Sequence, residues 1–186
     1  MSRWFLYFLA YSFLGYCLEK LFARAVRSPE RVRKCLLLLP LCPVYGLAMT
    51  VCAALTGPAD GLLYLALVGG AVSTAAEYLV HLFYDRAFAV RFWDYSGIPG
   101  HIGGRICPQF ALIWGVLSAL ALRTIQPVLA QLAGRIPAGG SFALWLIFAA
   151  DCVVSGALLL EKRDTQLLAL GPGLAHIWAS SQSRTS

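Results

Sequence analysis

Apolar residues dominate five stretches of this 186-residue chain, separated by short polar segments. A spanning helix needs roughly 20 predominantly apolar residues, and each stretch meets that length. Bare backbone polar groups are not tolerated in lipid, and the stretches are too long for barrel strands. We therefore predict an all-α membrane protein, a compact bundle of about five transmembrane helices. The predicted spans are 4–24, 35–55, 61–84, 106–127 and 141–160.

The polar segments differ in their content of Lys and Arg. The first and third loops and the C-terminal tail are basic, whereas the second loop, 56–60, has no Lys or Arg. Cytoplasmic loops carry such an excess, so we expect the N-terminus outside and the C-terminus inside the cytoplasmic (inner) membrane. The basic residues are Arg24, Arg27, Arg31, Arg33 and Lys34, then Arg86, Arg91 and Arg105, then Lys162, Arg163 and Arg184.

Composition agrees with a membrane protein, with 59% hydrophobic and only 13% charged residues. Soluble domains have roughly a quarter of their residues charged. The net charge of +6 does not indicate nucleic-acid binding, because the positive residues cluster between the apolar spans. We predict one transmembrane domain over 1–164. Residues 165–186, rich in Gly, Pro and Ser, are predicted to form a cytoplasmic interfacial and flexible tail.

The six cysteines lie mostly in or beside apolar segments, and no pair has C-x-x-C spacing. We expect reduced thiols that pack as small hydrophobes. The dipeptides Cys42-Pro43 and Cys107-Pro108 leave open a soft-metal or haem site, but no His stands at ligand spacing. The sequence therefore predicts no metal site and no cofactor.

Two glutamates occupy small-residue faces of predicted spans. Glu19 shares a helical face with Ser12 and Gly15, and Glu77 shares one with Ser73 and His81. Small residues allow close helix approach, so both carboxylates are predicted to point into the bundle. They lie about five and seven residues from the inner ends of their spans, which puts both in the cytoplasmic half. Charge inside a span usually marks a function.

The second and fourth spans begin at the same predicted level. Pro40 and Pro43 break the second span and free backbone carbonyls near Tyr45. Arg105 precedes the fourth span. Structural interpretations remain open: Glu19 snorkelling to the surface, and Glu77 pairing with Arg105 or bonding across helices. His81 can also be interpreted as an interfacial residue. Asp151 can be interpreted as a carboxyl group with a buried partner or as a protonated carboxyl.

The segment 90–105 is the densest in aromatic, glycine and charged residues. Its aromatics suit a re-entrant or interfacial loop between spans three and four. Asp94 is predicted to cap a turn or bind Arg91. Three glycines before Arg105 are compatible with a backbone nest for an anion, but the Gly-Lys-Ser/Thr ending of a Walker motif is absent.

Five strings of residues carry a family resemblance over roughly 5–125. They are Ser12-Phe-Leu-Gly-Tyr-Cys-Leu-Glu19, Leu41-Cys-Pro-Val-Tyr-Gly46, Glu77-Tyr-Leu, Phe92-Trp-Asp-Tyr-Ser96 and Gly104-Arg-Ile-Cys107. Together they resemble the bacterial membrane proteins described as putative type IV ABC-transporter proteins. The resemblance implies a polytopic, permease-like membrane component.

The leading functional prediction is a permease-like component that binds a small solute in a polar cavity in the cytoplasmic half of the bundle. Its partners would be membrane lipids and the solute, with a separate ATPase subunit and a homo-oligomer left open. A membrane-embedded enzyme acting on a lipid or lipid-linked substrate is one alternative, with His81 or His101 and the carboxylates as acid and base. A scaffold or regulatory subunit is the other. The predicted solute-binding residues are Glu19, Glu77, Arg105, Asp94, Tyr45 and His81.

Overall fold

The computed structural model describes residues 3–25, 37–135 and 138–162. Within these ranges the chain is all-helical, with six helices and no strand. Most of the basic first loop and the predicted tail, 165–186, lie outside the described residues. The helices are α1 Arg3–Ala25, α2 Pro43–Leu55, α3 Leu62–Phe88, α4 Pro108–Thr124, α5 Gln126–Ala133 and α6 Ala138–Lys162.

The predicted helical membrane bundle is confirmed, and each of the five predicted spans contains a helix. Among the described residues, α1, α3 and the Phe142–Glu161 part of α6 are long and apolar enough to cross a membrane. Helices α4 and α5 qualify together as a fourth segment, bent by 48°. Pro127 lies in the first turn of α5, and its missing N–H and its ring explain the break after Thr124.

The second predicted span differs most from its expected form. Helix α2 begins only at Pro43 and has 13 residues, so it is about 20 Å long and shorter than a hydrocarbon core of about 30 Å. Residues 37–42 before it are not helical. The residue before a proline is pushed away from the helical region, so Pro40 and Pro43 together delay the helix start.

Glycines bring the helices together in pairs. A Cβ on Gly15 of α1 would overlap the ring of Tyr45 on α2, and one on Gly115 of α4 would lie 2.7 Å from the carbonyl oxygen of Ala66 on α3. Helix α2 also packs on α3, which gives the order α1–α2–α3–α4, and α5 rests on α1 and α4. Close backbone approach of this kind is what small residues permit in membrane bundles.

The two ends of the bundle are distinct. At one end, Arg123 donates to the carbonyl oxygens of Pro58 and Asp60, both at 2.8 Å, and the Tyr11 hydroxyl donates to Gln126 Oε1 at 2.9 Å. The connections before α2 and before α4 meet at the opposite end. Helix α6 runs between the ends, since Phe148 contacts Phe5 and Phe8, and Leu159 packs with Tyr84 and Val90.

The described cysteines follow the predicted pattern except at Cys42. Cys17, Cys52, Cys107 and Cys152 are free thiols, and Cys52 and Cys107 are buried. Cys42 is disulfide-bonded, so the expectation of a reduced thiol is wrong there. No group of three or more potential metal ligands occurs among the described residues.

Candidate functional site

A cavity of about 420 Å³ lies among helices α1 to α4. Its wall is mostly apolar, with hydroxyl and carboxyl groups, whereas the sequence predicted a polar cavity. Three predicted site residues, Glu19, Tyr45 and Glu77, belong to the wall, and Cys42 from the break before α2 joins them. The polar wall residues are Tyr11, Glu19, Tyr45, Ser73, Glu77, Trp93, Tyr95, Trp114, Ser118 and Thr124.

Glu19 lies in the cavity wall and is hydrogen-bonded to Tyr45. The Tyr45 hydroxyl donates to Glu19 Oε1 at 2.5 Å. Gly15 makes this contact possible, because the ring of Tyr45 fills the space that a side chain there would occupy, one turn before Glu19. The Tyr45 ring also meets Trp114 edge-on, with centroids 5.4 Å apart. The first carboxylate is therefore positioned by residues of three different helices.

Glu77 is the buried carboxylate, with 8% of its surface exposed. The Tyr95 hydroxyl donates to Glu77 Oε1 at 3.1 Å. Tyr95 stacks on Phe110 of α4, with centroids 4.8 Å apart and the ring planes at 16°. One turn before Glu77, the hydroxyls of Ser73 and Ser118 lie 3.3 Å apart and join α3 to α4. The Tyr95 hydroxyl thus supplies a hydrogen bond that water would otherwise give to this buried carboxylate.

The loop between α3 and α4 delivers Tyr95 and Trp93 to the wall. The Tyr95 N–H donates to the carbonyl of Gly104 at 2.8 Å, and the indole N–H of Trp93 donates to the carbonyl of Arg105 at 3.0 Å. Gly104 has φ of 69°, in the left-handed region, where a side chain would also meet the Asp94 carboxylate. The glycines that suggested an anion nest serve this folded-back loop.

Arg105 faces a different acid from the one considered in the sequence. Its Nη2 donates to Asp85 Oδ2 at 3.0 Å, and its guanidinium lies 5.7 Å from the centroid of the Tyr78 ring. Asp85 also accepts from Arg91 Nε at 3.4 Å. Arg105 does not belong to the described cavity wall. It fastens the loop to the end of α3.

Asp94 and His81 also serve the loop and lie off the wall. Asp94 Oδ1 accepts the Ser96 N–H at 2.8 Å, so it caps a turn, which is one of the two roles predicted for it, and this bond holds the pKa of the exposed carboxyl below its usual value. His81 Nε2 donates to the carbonyl of Trp93 at 3.1 Å, and its Nδ1 has no hydrogen-bond partner among the described groups. His101 Nδ1 accepts the Gly104 N–H at 3.0 Å. Both histidines therefore hold the loop, which gives the acid–base enzyme alternative no support.

Asp151 has buried hydrogen-bond partners, which is one of the two possibilities that the sequence left open. Its Oδ2 accepts the Leu39 N–H at 3.2 Å, and its Oδ1 accepts the Ser155 hydroxyl at 3.2 Å. Ser155 in turn accepts the Leu38 N–H at 3.1 Å. Two side chains of α6 thus satisfy backbone amides of the non-helical segment before α2, which lipid could not do.

Tyr95 and Asp85 were missed as partners in the sequence. Tyr95 is one of the aromatics that the sequence places in a re-entrant or interfacial loop, and nothing in the sequence separates it from Phe92 and Trp93. Asp85 lies eight residues after Glu77 on α3 and thus near the same helical face, a signal that could have identified the partner of Arg105.

The chain matches a family model over most of its length. A model described as "Putative ABC-transporter type IV" covers residues 6–156, which includes α2 to α5, nearly all of α1, most of α6 and the whole described cavity wall. Neither the curated proteins nor the solved structures give a significant match. The chain thus belongs to the family of putative type IV ABC-transporter membrane proteins, as the resemblance of its motifs indicated.

Proposed function

We propose that this chain is the membrane component of a transporter and binds a small solute in the cavity among α1 to α4. One observation carries the proposal: Glu19 and Glu77, from separate helices, reach the wall of the same cavity, each with a tyrosine donor. Ligand sites are commonly concave and apolar, with a few placed polar groups. Ionisable groups inside membrane segments commonly mark solute or proton paths.

The scaffold alternative explains the polar contacts less completely. Polar groups that only assemble helices pair with each other across a closed interface, as Ser73 and Ser118 do. The two glutamates instead share a cavity of about 420 Å³, large enough for a small organic molecule. A separate ATPase subunit would couple ATP hydrolysis to movement of the solute, in keeping with the family description.

We place the loops before α2 and α4 on the cytoplasmic side of a bacterial inner membrane, because the basic residues cluster there. The part of the cavity that holds Glu19 and Glu77 would then lie in the cytoplasmic half. Cysteine substitution tests this orientation: Gly97→Cys in the third loop should react with impermeant maleimide only after cell lysis. Ala59→Cys in the second loop should react in intact cells. Both positions are exposed, and reversed labelling would reverse the orientation.

The test of solute binding is a cavity-filling substitution with a matched control. Leu117→Trp enlarges a wall residue, whereas Leu112→Trp on the same helix enlarges a side chain that is 75% exposed and lies off the wall. Each protein is extracted with its native lipid, and co-purifying small molecules are identified by mass spectrometry. We expect a solute with the unmodified chain and Leu112→Trp, and its loss from Leu117→Trp. Identical profiles for all three would contradict the proposal.

A further inference from the structure

The cavity wall includes side chains on the outer surface of the bundle. Leu21 of α1 is 60% exposed and Leu120 of α4 is 53% exposed, and Leu14 and Leu117 beside them are also exposed. Helices α1 and α4 stand at the two ends of the packing order α1–α2–α3–α4, and α5 rests on both. The cavity therefore opens between α1 and α4 onto an apolar surface, which faces lipid in a spanning bundle.

A lateral mouth of leucines selects molecules that dissolve in the bilayer. A hydrophilic solute would lose its hydration on passing these side chains and would find no polar partner there. A molecule with an apolar body gains by burying it against the same leucines. The route of entry thus favours a lipophilic ligand over a sugar, an amino acid or an inorganic ion.

The interior of the cavity presents groups that attract positive charge. Glu19 and Glu77 contribute carboxylates, and the rings of Trp93, Trp114 and Tyr45 lie in the same wall. Carboxylates bind cations through charge-assisted contacts, and aromatic faces attract cations through their quadrupole. Among its described residues, the wall contains no Lys, Arg or His that would suit an anion.

We propose that the cavity takes a lipophilic organic cation from the membrane, with the charge beside Glu19 and Glu77 and the apolar body along α1 and α4. This inference rests on the proposed solute-binding function and narrows its substrate class. Its two supports are independent, since the cavity mouth selects a lipophilic ligand and the cavity interior selects a positively charged one.

The test compares ions that differ in one property at a time. Tetraphenylphosphonium is a lipophilic cation, tetraphenylborate is an anion of nearly the same shape, and tetramethylammonium is a small hydrophilic cation. Binding to the full chain in lipid nanodiscs is measured by calorimetry, with empty nanodiscs as the blank. We expect saturable binding of tetraphenylphosphonium, at least about tenfold weaker binding of tetramethylammonium, and no saturable binding of tetraphenylborate.

Substitutions then locate the charge. Glu77→Gln should weaken tetraphenylphosphonium binding by about tenfold or more, and Glu19→Gln serves the same purpose if the first variant does not fold. Asp60→Asn removes a carboxylate from the second loop, off the wall, and should leave binding unchanged. Leu117→Trp should also weaken binding, whereas Leu112→Trp should not.

Three results would overturn the inference: equal binding of tetraphenylborate, no binding of tetraphenylphosphonium, or binding that both glutamate substitutions leave unchanged. The proposed function has its own readout. If Leu117→Trp still removes a co-purified solute while tetraphenylphosphonium fails to bind, the substrate class is wrong and solute binding stands. If neither readout responds to filling the cavity, both proposals fail.

Discussion

Helices α1 and α2 form one half of the cavity, and α3 and α4 form the other, and the halves share a plan. Each half has a glutamate on its first helix that accepts from a tyrosine, Tyr45 for Glu19 and Tyr95 for Glu77. Each second helix begins with proline after a cysteine, at Pro43 and at Pro108. The two halves thus share the same placement of a carboxylate and a tyrosine.

The halves differ in what supports the tyrosine. Tyr45 lies in the first turn of α2, and the segment before that helix is held by Asp151 and Ser155 of α6. Tyr95 lies in the loop before α4, which is held by His81 and by the pair of Arg105 with Asp85. Glu77 is buried, whereas Glu19 is only partly buried.

This difference indicates unequal roles for the two carboxylates. A buried carboxylate depends on fixed protein donors, whereas a partly buried one can exchange them for other partners. Glu77 is therefore the more rigid anchor for a ligand charge. Glu19, with the exposed leucines of α1, lies nearer to the mouth.

The largest expected effect comes from a substitution that removes the support of the half formed by α1 and α2. Asp151→Ala removes the acceptor of the Leu39 N–H and of the Ser155 hydroxyl. It should lower the free energy of unfolding by about 3 kcal/mol, since each buried donor left unsatisfied costs about 1–3 kcal/mol. Asp151→Asn keeps one acceptor oxygen, and its free energy of unfolding should lie between those of Asp151→Ala and the unmodified chain. Unfolding in detergent followed by circular dichroism measures this, and an unchanged Asp151→Ala stability would mean that α6 does not hold the segment before α2.

The next effect concerns the close contact that positions Tyr45. Gly15→Ala places a methyl group in the ring of Tyr45, which must shift away from Glu19. We expect a loss of about 1–3 kcal/mol, as for other overpacked contacts. Gly61→Ala is the matched control, because its Cβ would meet open space. Equal melting temperatures for the two variants would show that α1 and α2 are not packed as described.

Substitution of the two tyrosines compares the two halves of the cavity directly. Tyr95→Phe removes a buried donor to Glu77 and should lower the free energy of unfolding by about 1.5 kcal/mol. Tyr45→Phe should cost about 1 kcal/mol or less, because the partly buried Glu19 is less dependent on a single fixed donor than the buried Glu77. Thermal unfolding of both variants in the same detergent gives the comparison. The reverse ranking would contradict the assignment of Glu77 as the more dependent carboxylate.

The smallest expected change in stability is that of Glu77→Gln. If Glu77 paired with Arg105, its loss would leave a buried charge and cost several kcal/mol. Arg105 pairs with Asp85 instead, and a glutamine oxygen can still accept from Tyr95. We therefore expect a change within about 1 kcal/mol together with a clear loss of ligand binding. Severe destabilisation of this variant would indicate a structural role for Glu77.

The periodicity of the sequence was sufficient to predict features that depend on residue spacing along a single helix. It located the helices and the shared faces of Ser12, Gly15 and Glu19, because apolar and small residues recur at helical intervals. It did not predict that the second helix has only 13 residues, because the N–H groups of Leu38 and Leu39 are satisfied by Ser155 and Asp151, each more than 110 residues away. The hydrogen-bond partners of the loop between α3 and α4 could not be predicted for the same reason. Arg105 has several acids within reach in sequence, and only the folded loop selects Asp85.

The most direct test of a shared cavity is the reaction of Glu19 and Glu77 with dicyclohexylcarbodiimide, a lipid-soluble reagent for carboxyl groups. Labelling at each glutamate is quantified by mass spectrometry of the digested protein. We predict that Leu117→Trp lowers labelling at both glutamates together, although it lies on a third helix, and that Leu112→Trp lowers it at neither. Labelling that falls at one glutamate and stays constant at the other would contradict the single cavity on which the account rests.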